Sequence, residues 1–169
     1  MSFIWGKFTE ENVQKVLAGA LDAGETLKEF GIAHRPPRFF FLLAVLAELV
    51  PIFKPALLKM TRFFLVGVTN RRLVVLEVDR RECAPVQLKA FSLNQLPPFS
   101  YSKGFVNHRL TLNVPEGKDV LRFHRIGMKD NFRHAEAIEK ALAPLQSRVA
   151  AYRGMTTLIA MASVSLELT

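Results

Sequence analysis

The stretch that most constrains the fold is a pair of apolar runs joined by a short polar turn, TRFFLVGVTNRRLVVLEVD, at Thr61–Asp79. Each run has the length of a typical strand and is rich in Phe, Val and Leu, which favours β-structure over helix. The join at Thr69-Asn70-Arg71 supplies Asn, a residue that tolerates positive φ. The sequence therefore predicts an antiparallel β-hairpin.

Both faces of this predicted hairpin are apolar. The pattern assigns one face to Phe63, Leu65, Leu73 and Val75, and the other to Phe64, Val66, Val68, Val74, Leu76 and Val78. An antiparallel sheet with one face in water would alternate more cleanly between apolar and polar residues. We therefore expect one face to line the main core and the other to be covered by an additional element or a partner.

The chain before the hairpin predicts a helix and a first strand. Thr9 is a suitable N-cap for a helix over Glu10–Leu21, because two acidic residues follow it and apolar residues recur on one face. Gly24 is the expected stop. A short strand is expected across Glu25–His34.

A long apolar segment, Phe39–Met60, separates the first strand from the hairpin. Glu48, Pro51, Lys54 and Pro55 interrupt it, whereas a membrane span needs about 20 predominantly apolar residues. The pattern favours a broken helical insertion. The sequence leaves three alternatives for what the insertion packs against: lipid, a second subunit, or the second face of the hairpin.

Two sets of residues in and around this insertion are the candidate contact sites. The apolar set, expected to meet lipid or an interface, is Phe39, Phe40, Phe41, Leu42, Leu43 and Leu46. The basic set, expected to contact anionic lipid, is Lys28, Arg35, Arg38, Lys54, Lys59 and Arg62. Basic residues next to an anionic leaflet contribute about 1 kcal/mol each.

Downstream of the hairpin the sequence predicts more antiparallel strands and a final helix. Strands are expected at Val86–Ala90 and Phe99–Lys103, and a hairpin at Val106–Val114 and Asp119–Arg125. The amphipathic pattern over Asp130–Ala143 predicts a helix that packs Phe132, Ile138 and Leu142 into the open end of a small barrel formed by the strands.

In this order of elements the chain resembles the bacterial pleckstrin-homology-like and GRAM-like domains. The residues that carry the resemblance are Gly24-Glu25, Thr69-Asn70-Arg71-Arg72-Leu73, and the hairpin from Leu110 to Phe123 leading into Phe132–Leu142. The resemblance implies an α+β fold, a bent antiparallel barrel of about seven strands closed by a C-terminal amphipathic helix. It also implies a binding or scaffolding module.

The resemblance divides the chain into three parts. Residues 1–22 form an N-terminal helical extension, 23–145 the pleckstrin-homology-like domain with its insertion at 36–60, and 146–169 an apolar C-terminal extension. The basic residues around the insertion do not reproduce the phosphoinositide pattern of the eukaryotic family. The sequence therefore does not identify the ligand.

The function expected from the sequence is non-enzymatic lipid binding or protein–protein interaction. The formal net charge of +8 favours an anionic partner, either a membrane surface or nucleic acid, without choosing between them. The expected partner is an anionic membrane surface or a protein, which includes a second copy of the chain. No catalytic motif, metal-ligand spacing or cofactor fingerprint is present. The alternatives are an enzyme with a pocket beneath the insertion and, from charge alone, nucleic-acid binding.

The single cysteine, Cys83, fits a reducing compartment, so a cytoplasmic protein peripheral to the membrane is expected.

Overall fold

The computed structural model describes residues 8–37, 60–124, 128 and 130–145. Within them lie helix α1 (Glu10–Ala18) and strands β1 (Leu27–Arg35), β2 (Arg62–Thr69), β3 (Arg72–Val78), β4 (Pro85–Ser92), β5 (Phe99–Lys103), β6 (Asn107–Val114) and β7 (Gly117–His124). A second helix, α2, covers residues 131–145. The expected insertion, except for Met60, and the C-terminal extension at 146–169 lie outside the described residues.

The β2–β3 hairpin forms as predicted, but its turn is held differently. Asn70 is not among the described residues with positive φ, so that expectation is wrong. Instead the Thr69 hydroxyl accepts hydrogen bonds from the backbone N–H groups of Arg71 (3.1 Å) and Arg72 (2.9 Å). The Asn70 side chain accepts a hydrogen bond from the N–H of Thr26. The turn is thereby tied to the residue that precedes β1.

The two faces of the hairpin are both buried, as predicted, but the assignment of β3 residues to them was wrong. The two-residue turn sets Val68 opposite Leu73 and Leu65 opposite Leu76. Residues opposite each other share a face. One face therefore carries Phe64, Val66, Val68, Leu73 and Val75, and the other carries Phe63, Leu65, Val74, Leu76 and Val78.

The seven strands form one antiparallel sheet in the order β4-β3-β2-β1-β7-β6-β5. Among the described residues β4 and β5 are unpaired edges, so the sheet is not closed and the expected barrel is wrong. The connection between these edges contains Pro97 and Pro98, which supply no N–H group to a ladder. The buried side chains of Leu96 and Phe99 pack into the core at this connection.

An ionic contact bridges the two halves of this open sheet. The Asp119 carboxylate on β7 accepts a hydrogen bond from Arg35 on β1 and another, at 3.1 Å, from Lys89 on β4. Since Asp119 is buried, both contacts are partly shielded from water and stronger than an exposed pair. The Lys89 contact thus connects β4 to β7, two strands that are not neighbours in the sheet.

The predicted helix forms as α2, but it packs on the inner face of an open sheet and not into the end of a barrel, and Phe132, expected in the core, is only half-buried. Ala135, Ile138 and Leu142 are fully buried there, in one cluster with the inner residues of β2, β3, β6 and β7. Asp130, with φ at 59°, lies directly before the helix. Its carbonyl accepts the N–H of His134 and so begins the helical hydrogen bonding.

The outer face of the hairpin is covered by the N-terminal segment. Val13 and Leu17 of α1 and the preceding Phe8 pack against it, so the extra covering element predicted from the sequence is this segment. The helix ends at Ala18, capped by Gly19, which is earlier than the expected stop. Gly67 permits the close approach, because a Cβ there would lie 2.9 Å from Leu27 and 3.5 Å from Leu17.

No helix in the described ranges is both long enough and apolar enough to cross a bilayer.

Candidate anionic-surface site

The structure brings together two of the basic residues singled out in the sequence. Arg35 ends β1 and Arg62 begins β2, and the two are partners in the antiparallel register. Lys28 is exposed at the opposite end of β1. Arg38, Lys54, Lys59 and the apolar residues 39–46 lie outside the described residues. Arg35 and Arg62 therefore define the candidate site, which we call the β1–β2 end.

Arg35 is already engaged within the fold. Its guanidinium contacts the Asp119 carboxylate, and its Cζ atom lies 5.1 Å from the centre of the Phe64 ring. An arginine stacked on an aromatic face and paired with a carboxylate is held in one orientation. Its role in the structure is to link β1 to β7, and little of its charge is free for an external anion.

Arg62 is more accessible. Its side chain is 63% exposed, and its nearest carboxylate oxygen, on Glu77, lies 3.6 Å away. Exposed pairs of this kind contribute about 0–1 kcal/mol. Arg62 can therefore exchange its partner for an external anion at little cost.

A hollow of about 680 Å³ adjoins Arg62. It lies where β2 begins, β3 ends and β4 starts, and its walls carry three arginines, Arg62, Arg80 and Arg81. We call it the arginine hollow. Its acidic residues are Glu77, which faces Arg62, and Asp79. Arg80 and Arg81 were not predicted as contact residues, because a polar connection between strands reads in the sequence as a solvated loop.

Asp79 forms no ion pair with these arginines among the described residues, and its carboxylate is held by the backbone. One carboxylate oxygen accepts the N–H groups of Arg81 (2.7 Å) and Glu82 (3.0 Å). These hydrogen bonds, with smaller contributions from the charges of Arg81 and Arg80, lower the pKa of Asp79. The Nη1 atom of Arg80 is buried and has no hydrogen-bond partner. Among the described residues no carboxylate forms an ion pair with Arg80 or Arg81, so their charges remain available to an external anion.

The connection that carries Arg80 and Arg81 is well ordered by its own hydrogen bonds. The N–H of Asp79 donates to Ala84 (2.8 Å), and the N–H of Cys83 donates to Asp79 (2.9 Å). Cys83 is buried and adopts a positive φ of 57°. The arginines therefore project from a fixed turn.

Apolar side chains are exposed beside the arginine hollow. Met60, the residue before Thr61 of the hollow, is 55% exposed, and Val86 in its wall is 64% exposed. The other exposed large apolar residues of the described chain are Leu88 on β4 and Phe105 and Val106 in the β5–β6 turn. The β1–β2 end thus combines guanidinium groups with exposed apolar surface.

The histidines do not form a metal site within the described ranges, where no group of three His, Cys, Asp or Glu residues is placed to hold an ion. His108, on the apolar face of β6, is buried. Its Nδ1 atom is 2.7 Å from the Tyr101 hydroxyl, and its ring stacks on Phe132. His108 is therefore a buried core histidine with a hydrogen-bond partner.

The sequence matches no family model, and no curated protein matches it. Among solved structures the chain is similar to the hSac2 domain from the human phosphoinositide phosphatase Sac2, with a TM-score of 0.46 and 15% sequence identity over 83% of this chain and 84% of that one. This likeness carries no argument about function.

Proposed function

We propose that this protein is a non-enzymatic pleckstrin-homology-like module that binds an anionic membrane surface through its β1–β2 end. The observation that carries the proposal is the arginine hollow. Arg80 and Arg81 form no ion pair within the described part of the chain, and one buried guanidinium nitrogen of Arg80 has no partner. Lipid phosphate and carboxylate groups form charge-assisted hydrogen bonds with guanidinium groups that lack an internal ion pair.

The neighbouring apolar surface favours a membrane over a soluble anion. Met60 and Val86 are exposed beside the hollow, and the apolar segment that begins at Phe39 rejoins the described chain at Met60. Burying one large apolar side chain contributes about 1.5–3 kcal/mol. Apolar side chains that insert shallowly into the bilayer and arginines that pair with headgroups then lie together at the β1–β2 end.

The proposal of a non-enzymatic function is supported by the contacts of the potentially reactive side chains, which are held within the fold of the described chain. His108 is held by Tyr101 and Phe132, and the Asp119 carboxylate by Arg35 and Lys89. These groups maintain the fold, and a general acid or base has to be free to exchange protons with a substrate. If the protein catalysed a reaction and substitution of such a residue abolished that catalysis, the enzyme alternative would replace this proposal.

The proposal predicts that membrane binding depends on the arginines of the hollow. The variant Arg80→Gln with Arg81→Gln should bind vesicles of phosphatidylcholine with 30 mol% phosphatidylserine about 30-fold more weakly, because each basic residue at an anionic surface contributes about 1 kcal/mol. Co-sedimentation at physiological ionic strength measures the partition coefficient.

The matched control is Arg71→Gln with Arg133→Gln, which removes the same charge outside the hollow. Arg71 lies in the β2–β3 turn and is exposed, and the Arg133 side chain on α2 is 79% exposed. We expect this control to bind within threefold of the unmodified protein. If both double variants lost vesicle binding equally, binding would depend on net charge and not on the hollow. If the unmodified protein did not bind the vesicles, the membrane proposal would be wrong.

A further inference from the structure

A second cluster of basic side chains lies on the outer face of β1, β7 and β6. Leu121 and Phe123 of β7 point into the inner core, so the alternating residues Arg122 and His124 point outward. His34 of β1 is the register partner of Arg122. The His34 and His124 rings contact each other with centroids 4.8 Å apart.

Arg109 completes this cluster from β6. It stands directly opposite Arg122 in the β6–β7 register, and like charges directly opposite each other destabilise a sheet. Within the described part of the chain, no acidic side chain forms an ion pair with Arg109 or Arg122. The cluster therefore has two guanidinium groups side by side, and no carboxylate of the described residues offsets their repulsion.

Arg122 has a second unfavourable feature. Its Nε atom is buried and has no hydrogen-bond partner. Burial, with the nearby charge of Arg109 as the smaller cause, lowers the pKa of its guanidinium. Removing a hydrogen-bond donor from water without a new acceptor is costly, and more so for a charged group. A bound anion at this pair of guanidinium groups would offset the repulsion between Arg122 and Arg109.

The two histidines add donors of another kind. Burial lowers the pKa of His34 to about 4, with smaller contributions from the charges of His124 and Arg122. Burial also lowers the pKa of His124, followed by the charge of Arg122. Both rings are therefore neutral at pH 7, and each neutral ring carries one N–H donor.

We propose that His34, Arg109, Arg122 and His124 form a binding site for a phosphate group. The guanidinium of Arg122 is the central donor, Arg109 adds charge at the exposed rim, and the two imidazole rings flank it. Arginine binds phosphate oxygens with paired, parallel N–H bonds, and a phosphate dianion carries enough charge to offset both guanidinium groups. The ligand class is a phosphate monoester, free or as a lipid headgroup.

This phosphate site shares no residue with the arginine hollow, which lies at β2, β3 and β4. It does not rest on the proposed membrane function. The two can therefore fail separately, because binding of a soluble phosphate requires no membrane and binding of phosphatidylserine vesicles through the hollow requires none of the four residues here.

The test is a titration of the intact protein with inorganic phosphate at pH 7 and constant ionic strength. Histidine ring resonances in nuclear magnetic resonance spectra report on the site, and those of His34 and His124 should shift along one saturable curve. We expect Arg122→Gln to weaken phosphate binding at least tenfold. Arg133→Gln, a charge-matched substitution on α2, should change it less than twofold.

A folding defect is not expected in the Arg122→Gln variant, because the substitution removes the repulsion from Arg109. Should it occur, Arg109→Gln serves as the second variant, since Arg109 is exposed and its side chain makes no described ion pair. It should weaken phosphate binding at least threefold. Equal phosphate affinity in Arg122→Gln, Arg109→Gln and Arg133→Gln, or the absence of saturable binding in the unmodified protein, overturns the assignment.

Vesicles distinguish the two sources of the phosphate group. The comparison uses phosphatidylcholine vesicles with phosphatidic acid, whose headgroup is a phosphate monoester, and vesicles of equal surface charge made with phosphatidylserine. If Arg122→Gln weakens binding of inorganic phosphate and of phosphatidic acid vesicles alone, the site takes a lipid headgroup. If it weakens binding of inorganic phosphate and neither vesicle, the site takes a soluble phosphate ester.

Discussion

Replacing Arg72 with Met should lower the free energy of unfolding at pH 7 by about 3–5 kcal/mol, because it leaves a buried carboxylate without its charged partner. That carboxylate belongs to Glu25, whose side chain is 1% exposed. Arg72 donates to its two oxygens from Nε at 2.9 Å and from Nη2 at 2.8 Å. The Thr69 hydroxyl donates to the same group at 2.6 Å. This network joins the residue before β1 to both ends of the β2–β3 turn.

Urea unfolding measures the effect, and the neighbouring arginine provides the control. Arg71→Met changes an exposed side chain of the same turn and should alter stability by less than about 0.5 kcal/mol. The double variant Glu25→Gln with Arg72→Met should recover part of the loss, since no charge then stays buried. Similar stabilities for Arg72→Met and Arg71→Met would mean that Glu25 gains nothing from its partner.

The same network predicts a pH dependence of stability. Hydrogen bonding to Arg72, against the opposing effect of burial, lowers the pKa of Glu25 from 4.5 to about 2. Because the pKa is lower in the folded state, the stabilisation is fully present above pH 4.5 and is lost as the pH falls toward 2. The shift corresponds to about 3 kcal/mol.

The stability advantage of the unmodified protein over Glu25→Gln should therefore shrink across that interval. Urea midpoints of the two proteins at pH 2, 3, 4 and 5 give this difference, in which most contributions from other carboxylates cancel. An advantage that stays constant from pH 5 to pH 2 would contradict the lowered pKa of Glu25.

The sequence predicted those parts of the fold that depend on local periodicity. The β6–β7 hairpin and the final helix have apolar residues that repeat at the period of their element, and the β2–β3 hairpin has two apolar runs of strand length around a polar turn. The assignment of faces failed because register depends on turn length. With Thr69 and Arg72 flanking a two-residue turn, every β3 side chain faces the opposite side from the one expected.

The residues that join distant elements could not be read from the sequence. Arg80 and Arg81 resemble any solvated turn, and only the strand register shows that they face Arg62 across a hollow. Arg122 and His34 are 88 positions apart in the chain and become neighbours only through the β1–β7 pairing. Local patterns carry no information about such pairings, because they are set by the whole sheet.

Asn131 is the clearest example of such a residue, and it replaces backbone pairing where β1 and β7 separate. The two strands pair at His34 and Arg122. Near Ile32 the side chain of Asn131 forms hydrogen bonds to both strands in place of the backbone pairing. Its Oδ1 atom accepts the Ile32 N–H at 2.9 Å, and its Nδ2 atom donates to the carbonyl groups of Ile32 (2.9 Å) and His124 (2.8 Å). The residue is 2% exposed, so water cannot readily replace these bonds.

Changing Asn131 to Asp should lower the free energy of unfolding at pH 7 by about 3–5 kcal/mol. The substitution keeps the shape and the acceptor but removes the donors to two buried carbonyl groups, each worth about 1–3 kcal/mol when left unpaired. It also places a carboxylate against their oxygens. Asn113→Asp, the same chemical change at an exposed position of β6, should cost less than about 0.5 kcal/mol.

Acid should partly reverse the effect of Asn131→Asp, because a protonated carboxyl group can donate to one of the two carbonyl oxygens. The stability difference from the unmodified protein should therefore be smaller at pH 4 than at pH 7, while the difference for Asn113→Asp should change little. Thermal and urea unfolding at the two pH values measure both. If Asn131→Asp is as mild as Asn113→Asp at pH 7, the side chain of Asn131 does not hold β1 to α2, and the separation of β1 from β7 must be stabilised by core packing alone.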